Sequence, residues 1–188
     1  MSVLEVVEKF VSINGEGTKA GQLAVFIRFK GCNLNCKYCD TKWANEADAT
    51  AQQMTKEDIL EYVLSTGVKN VTLTGGEPLL RDGIEDVIEC LADNNLNVEI
   101  ETNGSIPLDN IRKLHKDNVT FTMDYKLSCS GMEQAMRLEN FSVLNKNDTV
   151  KFVAGCHEDL VRTKQIIEKY NLYGKCNLYI SPVFGMIE

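Results

Sequence analysis

The 188-residue sequence lacks any long apolar run. The longest near its start is Leu23–Ile27, far short of a membrane span or the core of an export signal. No membrane association follows, and the protein reads as cytoplasmic. It also lacks surplus positive charge: 20 Lys and Arg face 27 Asp and Glu, a net charge of −7. A lasting grip on nucleic acid needs clustered cations, so nucleic acid is excluded as a partner. Proline is scarce, with 3 residues, and no Pro/Gly-rich linker, repeat or low-complexity tract interrupts the chain. Residues 1–188 therefore read as a single domain, with an N-terminal extension over about residues 1–22.

Hydrophobic residues make up 44% of the sequence, enough for a real core. Apolar, β-branched runs predict strands at Leu23–Phe29, Asn70–Thr74, Asn97–Thr102, Val119–Asp124, Thr149–Ala154 and Asn177–Ser181, with Leu4–Ser12 as a strand extension. Helical spacing falls between them, at Thr55–Ser65, Gly83–Asp93, Leu108–His115, Glu133–Phe141 and His157–Tyr170. Thr55 is placed to cap the first of these. The βα alternation predicts a parallel sheet, either open and doubly wound or an incomplete barrel. In both, ligands bind beyond the carboxyl ends of the strands.

Seven cysteines without an export signal point to metal binding or catalysis rather than disulfides. Cys90, Cys129, Cys156 and Cys176 are scattered. Cys90 reads as a buried small hydrophobe and Cys129 as incidental. Cys32, Cys36 and Cys39 form a C-x3-C-x2-C triplet just after the first predicted strand of the sheet. Three thiolates on one short loop suit three corners of a 4Fe–4S cube, whose closed form takes four cysteines. The open corner is free for a cofactor such as S-adenosylmethionine, whose amino and carboxylate groups can chelate iron. The alternative is structural zinc, with His115, His157 or a remote cysteine as fourth ligand. Asn33, Asn35, Lys37 and Asp40 surround the triplet with polar groups, which argues against a core site.

Other motifs end the predicted strands. Thr74-Gly75-Gly76-Glu77-Pro78 offers two glycines for close approach of backbone to a ligand, and a glutamate to accept from an amino group. Glu99 and Glu101 alternate onto one face, lining either a polar interior or solvent. Lys126, in Asp124-Tyr125-Lys126, is either a ligand contact or a solvated cation. Ser181-Pro182-Val183-Phe184-Gly185 either closes over an adenine or is a packed turn. Arg28, flanked by Ile27 and Phe29, needs a carboxylate from the protein or from a substrate. Ser12–Gly17 is a glycine-punctuated polar turn.

The triplet and the Gly-Gly-Glu-Pro turn resemble the radical S-adenosylmethionine superfamily. Ser12–Gly17, Phe26–Phe29, Gly31–Leu34, Cys39-Asp40-Thr41, Thr74–Pro78, Glu101–Gly104, Asp124–Lys126, Ser130–Met132 and Ser181–Gly185 together resemble its 7-carboxy-7-deazaguanine synthase family. The resemblance implies a partial (β/α)6 barrel. It implies a lyase that converts 6-carboxy-5,6,7,8-tetrahydropterin to 7-carboxy-7-deazaguanine with loss of ammonia, in queuosine or deazapurine biosynthesis. It implies Cys32, Cys36 and Cys39 on a 4Fe–4S cluster, and S-adenosylmethionine at Tyr38, Cys39, Asp40, Gly76, Asp124, Tyr125 and Lys126. It places the pterin at Ile13, Asn14, Gly15, Glu16, Arg28 and Thr74, and Mg2+ at Thr41. A flavodoxin or ferredoxin donor and a homodimer follow from the same resemblance. Asn14 stands where the family usually has Gln, one methylene longer. Relatives also commonly continue into a helix beyond the position of Glu188. The alternatives are a glycyl-radical-enzyme activase, which shares the triplet, and a non-enzymatic Fe–S or zinc module.

Overall fold

The computed structural model describes residues 2–186. Strand β1 (Leu4–Ile13) pairs antiparallel with β2 (Leu23–Phe29) and with the short β3 (Gln52–Met54). Five more strands join β2 in parallel: β4 (Asn70–Gly75), β5 (Asn97–Thr102), β6 (Val119–Tyr125), β7 (Thr149–Ala154) and β8 (Asn177–Pro182). The sheet runs β3-β1-β2-β4-β5-β6-β7-β8. Among the described residues neither β3 nor β8 pairs with a further strand, so the barrel is partial. The parallel order follows the sequence without reversal, as successive right-handed crossovers produce. That order leaves no switch point of the doubly wound kind. The predicted strands all form, each within a residue or so of its expected bounds; β3 is additional.

Three of the expected helices form at close to full length. Helix α1 (Lys56–Thr66) opens with a capping box: the Asp58 amide donates to Thr55 Oγ1, and Thr55 N donates to the Asp58 carboxylate. It ends on Gly67, whose φ of 71° is the left-handed cap. Helix α2 (Ile84–Asp93) packs beside α1, and α5 (His157–Lys169) packs on β7. The other two expectations shrink. Leu108–His115 contracts to α3 (Asp109–Arg112), because the chain turns left-handed at His115. Glu133–Phe141 breaks into a 3-10 turn at Glu133–Ala135 and the short α4 (Asn140–Val143). Asn140 explains the break: its amide donates to the carbonyls of Gly104 and Ile106, pinning the segment to the β5 loop.

Alternation along the strands separates two environments. Val25, Ile27, Phe29, Val71, Leu73, Val98, Ile100, Phe121, Met123, Val150 and Phe152 face the helices and are buried against Ile59, Val63, Val87, Ile88, Leu91 and Ile166. The alternate residues (Arg28, Thr72, Thr74, Glu99, Glu101, Thr122, Asp124 and Lys151) share the other face and are largely polar. Cys90 is only partly buried on α2, not enclosed as expected. No helix among the described residues is long and apolar enough to cross a membrane.

Candidate active site

A cavity of about 610 Å³ opens at the carboxyl ends of the parallel strands. Its lining includes Cys32, Cys36 and Cys39, and, among the described residues, no other cysteine. The triplet stands on the loop after β2. That loop is held from several sides. Gly31 N donates to Ala44 O, Lys37 N donates to Ser130 O after β6, and the Tyr38 hydroxyl donates to Val153 O on β7. Asn103 Nδ2 reaches Cys32 Sγ at 3.5 Å and Asn33 Oδ1 at 3.0 Å. Burial pushes the Cys32 and Cys36 thiols above their ordinary value, and drives Tyr38 up to about 12. A bound iron cluster inverts that preference for the neutral thiol, since metal-bound cysteine is deprotonated.

Glu77 holds the loops together instead of facing a ligand. It is fully buried. Its carboxylate accepts from Thr102 Oγ1 at 2.9 Å, Asn103 N at 2.7 Å and Leu79 N at 3.1 Å. Burial lifts its pKa to about 7, with the three hydrogen bonds opposing the shift. This corrects the expectation that it accepts from a bound amino group. Gly75 and Gly76 also owe their identity to packing. A Cβ on Gly75 would sit 2.3 Å from Phe29 O, and one on Gly76 would sit 2.1 Å from Gly31 O. The turn thus lies directly against the strand and loop that present the cysteines.

Lys126 is neither solvated nor free. It pairs with Asp124 Oδ2 at 2.7 Å inside the cavity. Burial disfavours its ammonium, but the Asp124 carboxylate outweighs that and holds the pKa above the ordinary lysine value. Asp124 Oδ1 is buried without a partner among the described residues, as is Asn45 Oδ1 beside Gly76. Both residues line the cavity. Buried acceptors left open at a cavity wall suit a polar ligand with donor groups. Thr41 Oγ1 lies 3.7 Å from Cys39 Sγ, also on the wall.

The floor is built from the interior glutamates. Glu99 is buried and accepts from Asn14 Nδ2 at 2.7 Å, Thr122 Oγ1 at 2.6 Å and Thr72 Oγ1 at 3.3 Å. Asn14 thus spends its amide on the floor, and its Oδ1 accepts from Glu16 N. Glu101 lies in the cavity, where burial raises its pKa to about 7 against a Thr74 hydrogen bond that lowers it. Both glutamates therefore line a polar interior. Glu16 crosses the mouth to pair with Lys151 Nζ on β7 at 2.6 Å. Arg28 bonds Glu8 Oε2 through Nε at 2.9 Å. Among the described residues no other ion pair engages it, so part of its guanidinium fork remains for a ligand.

Of the residues expected at the site, Asn14, Gly15, Glu16, Arg28, Tyr38, Cys39, Asp40, Thr41, Thr74, Gly76, Asp124 and Lys126 line the one cavity with Cys32 and Cys36. Ile13 and Tyr125 do not. Ile13 pairs with Leu23 in the register that puts Val11 opposite Val25, on the outer face, and is 66% exposed. Tyr125 alternates away from Asp124 into the core. Its ring stacks on Phe141 at 5.8 Å, and its hydroxyl bonds Glu133. Asn45, Lys151, Val153 and Thr122 join the lining without having been singled out. The signal for Lys151 and Thr122 was their place on strands, alternating with core residues. Asn45 carried none. Pro182, Val183 and Phe184 complete the rim, with Phe184 fully exposed.

The donor set fits a cluster better than a single ion. Among the described residues, no histidine and no fourth cysteine joins the three thiols on the cavity wall, as a closed structural zinc site would need. Three thiols in one cavity, with open acceptors on the same lining, match a cube with one corner left for a polar cofactor.

Comparison with known proteins agrees. The Radical SAM superfamily profile matches residues 26–125. The 7-carboxy-7-deazaguanine synthase of Clostridium acetobutylicum is 60% identical over 98% of this chain and 83% of its own length. That of Chlorobaculum tepidum is 34% identical, over 98% and 82%. The crystal structure of QueE from Escherichia coli superposes with a TM-score of 0.74 at 23% identity, covering 97% of this chain and 85% of that one.

Proposed function

Because the chain belongs to the 7-carboxy-7-deazaguanine synthase family of the radical SAM superfamily, we infer that it converts 6-carboxy-5,6,7,8-tetrahydropterin to 7-carboxy-7-deazaguanine with release of ammonia. The reaction class is that of a lyase. The family implies a 4Fe–4S cluster and S-adenosylmethionine. When bound, they supply the 5′-deoxyadenosyl radical that removes and returns a substrate hydrogen. One observation carries the reading: three thiols line a cavity that holds no fourth protein sulfur among the described residues.

The chain's own residues bind, orient and exclude water. Cys32, Cys36 and Cys39 hold three cluster corners. Gly76 backbone, Tyr38, Asp40, Asp124 and Lys126 take S-adenosylmethionine, with the open Asp124 Oδ1 as an acceptor for its donor groups. Arg28 offers its free fork to the substrate carboxylate. Thr74, Gly15 and Glu16 frame the pterin, and the Glu16–Lys151 pair closes the mouth beside it. Asn14 acts through the floor, by fixing Glu99 and the Glu16 amide. Thr41 would offer a hard hydroxyl oxygen to Mg2+, a cation that takes oxygen ligands. A concave cavity of about 610 Å³ that contains Arg28, Asp124 and Lys126 favours a small charged molecule over the protein substrate of an activase. Family membership likewise sets aside a non-enzymatic module. Electron supply by a flavodoxin or ferredoxin, a homodimer and a cytoplasmic location belong to the same reading.

The test is an anaerobic assay of the reconstituted protein with the carboxy-tetrahydropterin, with and without Mg2+. Deazaguanine formation that falls when Mg2+ is removed supports the reading. The Cys36→Ala variant is expected to lose both the cluster spectrum and turnover. Retained activity in that variant would overturn the cluster assignment.

A further inference from the structure

Two cysteines outside the reaction face each other. Cys129 stands in the loop after β6, and Cys156 precedes the first residue of α5. Their Sγ atoms are 2.9 Å apart. A disulfide needs about 2.05 Å, so closure takes less than an ångström. The neighbouring glycine makes this approach possible: a Cβ on Gly155 would meet Cys129 Cβ at 2.9 Å. Both cysteines are partly exposed, within reach of a small oxidant.

Asp159 brings a third metal-type ligand within 4.8 Å of both sulfurs. Its oxygens are already committed, however. Oδ1 accepts from Ser128 Oγ at 2.8 Å and Cys129 N at 3.3 Å, and Oδ2 accepts from Gly155 N at 2.9 Å. This fully buried carboxylate ties the β6 and β7 loops together and so sets the two sulfurs face to face. The arrangement favours a thiol pair over a metal trio.

We propose that Cys129 and Cys156 form a reversible intramolecular disulfide on exposure to a low-molecular-weight disulfide such as glutathione disulfide. One thiol attacks the oxidant, forming a mixed disulfide and releasing one glutathione. The second thiol then displaces the bound glutathione. The two cysteines are oxidised, one glutathione disulfide is reduced to two glutathiones, and the two thiol protons pass to them. The bond joins the loops that hold the cluster segment, since Ser130 O accepts from Lys37 N and Val153 O from the Tyr38 hydroxyl.

The test exposes anaerobic holoenzyme to glutathione redox mixtures, alkylates the remaining free thiols and maps peptides by mass spectrometry. In the wild type, Cys129 and Cys156 should lose alkylation together and yield a linked peptide two hydrogens lighter, with both thiols restored by dithiothreitol. Cys156→Ser should give no linked peptide. The proposal falls if both thiols of the wild type stay alkylated at full oxidant, or if each carries its own glutathione. It falls equally if alkylating the pair releases stoichiometric zinc. The wild-type peptides carry the decision, so it survives a variant that folds poorly.

Discussion

Replacing Gly76 with alanine tests how the Gly-Gly turn works. If the glycine only makes room for a ligand, alanine should weaken S-adenosylmethionine binding and leave the apoprotein as stable as before. The structure makes a different prediction. The new Cβ would sit 2.1 Å from Gly31 O and 2.3 Å from Asn45 Oδ1. Ordinary contact begins near 3.4 Å, so the turn and the cysteine loop must part by more than an ångström. That movement breaks the 3.0 Å bond from Glu77 N to Gly31 O. Overpacking of this kind costs roughly 1–3 kcal/mol, and an orphaned buried donor adds about 1–3 kcal/mol. With a urea m-value of about 1–3 kcal/mol/M, the midpoint should fall by about 1 M or more. The assay is urea unfolding of the apoprotein, followed by iron content after anaerobic reconstitution. Gly15→Ala is the stability control, because nothing lies within 4 Å of its Cβ position. A Gly76→Ala midpoint equal to that of the control would refute the packing argument.

Arg28→Ala removes a guanidinium whose protein partner, Glu8, is 41% exposed, so stability should change by under about 1 kcal/mol. Pterin binding should weaken by about tenfold or more through a lost charge-assisted bond, while uncoupled S-adenosylmethionine cleavage persists. Equal loss of both activities would count against the carboxylate clamp. Asp148→Ala deprives Arg112, Phe121 N and Asn145 N of one buried carboxylate, and should destabilise by about 3–5 kcal/mol in urea unfolding. A cost within about 0.5 kcal/mol would show that the loop repacks. Glu77 and Glu101 hold their protons up to about pH 7 when folded, against an ordinary value of 4.5. The folded state thus binds protons more tightly than the unfolded one, and stability falls as pH rises from about 4.5 to about 7. Glu77 alone contributes up to about 3 kcal/mol to that fall. Urea midpoints that rise between pH 5 and pH 8 would contradict the burial argument.

The site was legible where chemistry is written into local spacing. Cys32, Cys36 and Cys39 need only a short loop after a strand to face one ligand, and β2 supplies it. Arg28 was legible too, because alternation past Ile27 and Phe29 forces it onto the other face. Its two offered partners both have a place, with Glu8 on Nε and an open fork toward the cavity. Alternation turns Ile13 and Tyr125 away from the cavity. Their neighbours Asn14 and Asp124 line the cavity, and adjacent strand residues point to opposite sides of a sheet.

Local residue patterns were enough to set the strand pattern, the capped α1, the cysteine loop and the end of the sheet where the cavity opens. Each of these depends on residues within a few positions of one another, whose periodicity or spacing is set by backbone geometry alone. Only the tertiary structure decided that Glu77 braces three loops, that Asn14 serves Glu99, that Glu16 crosses to Lys151 and that Cys129 meets Cys156. Apart from Leu79, in Glu77's own turn, those partners are separated by between 25 and 135 positions. Their meeting depends on sheet order and register, which no local pattern encodes.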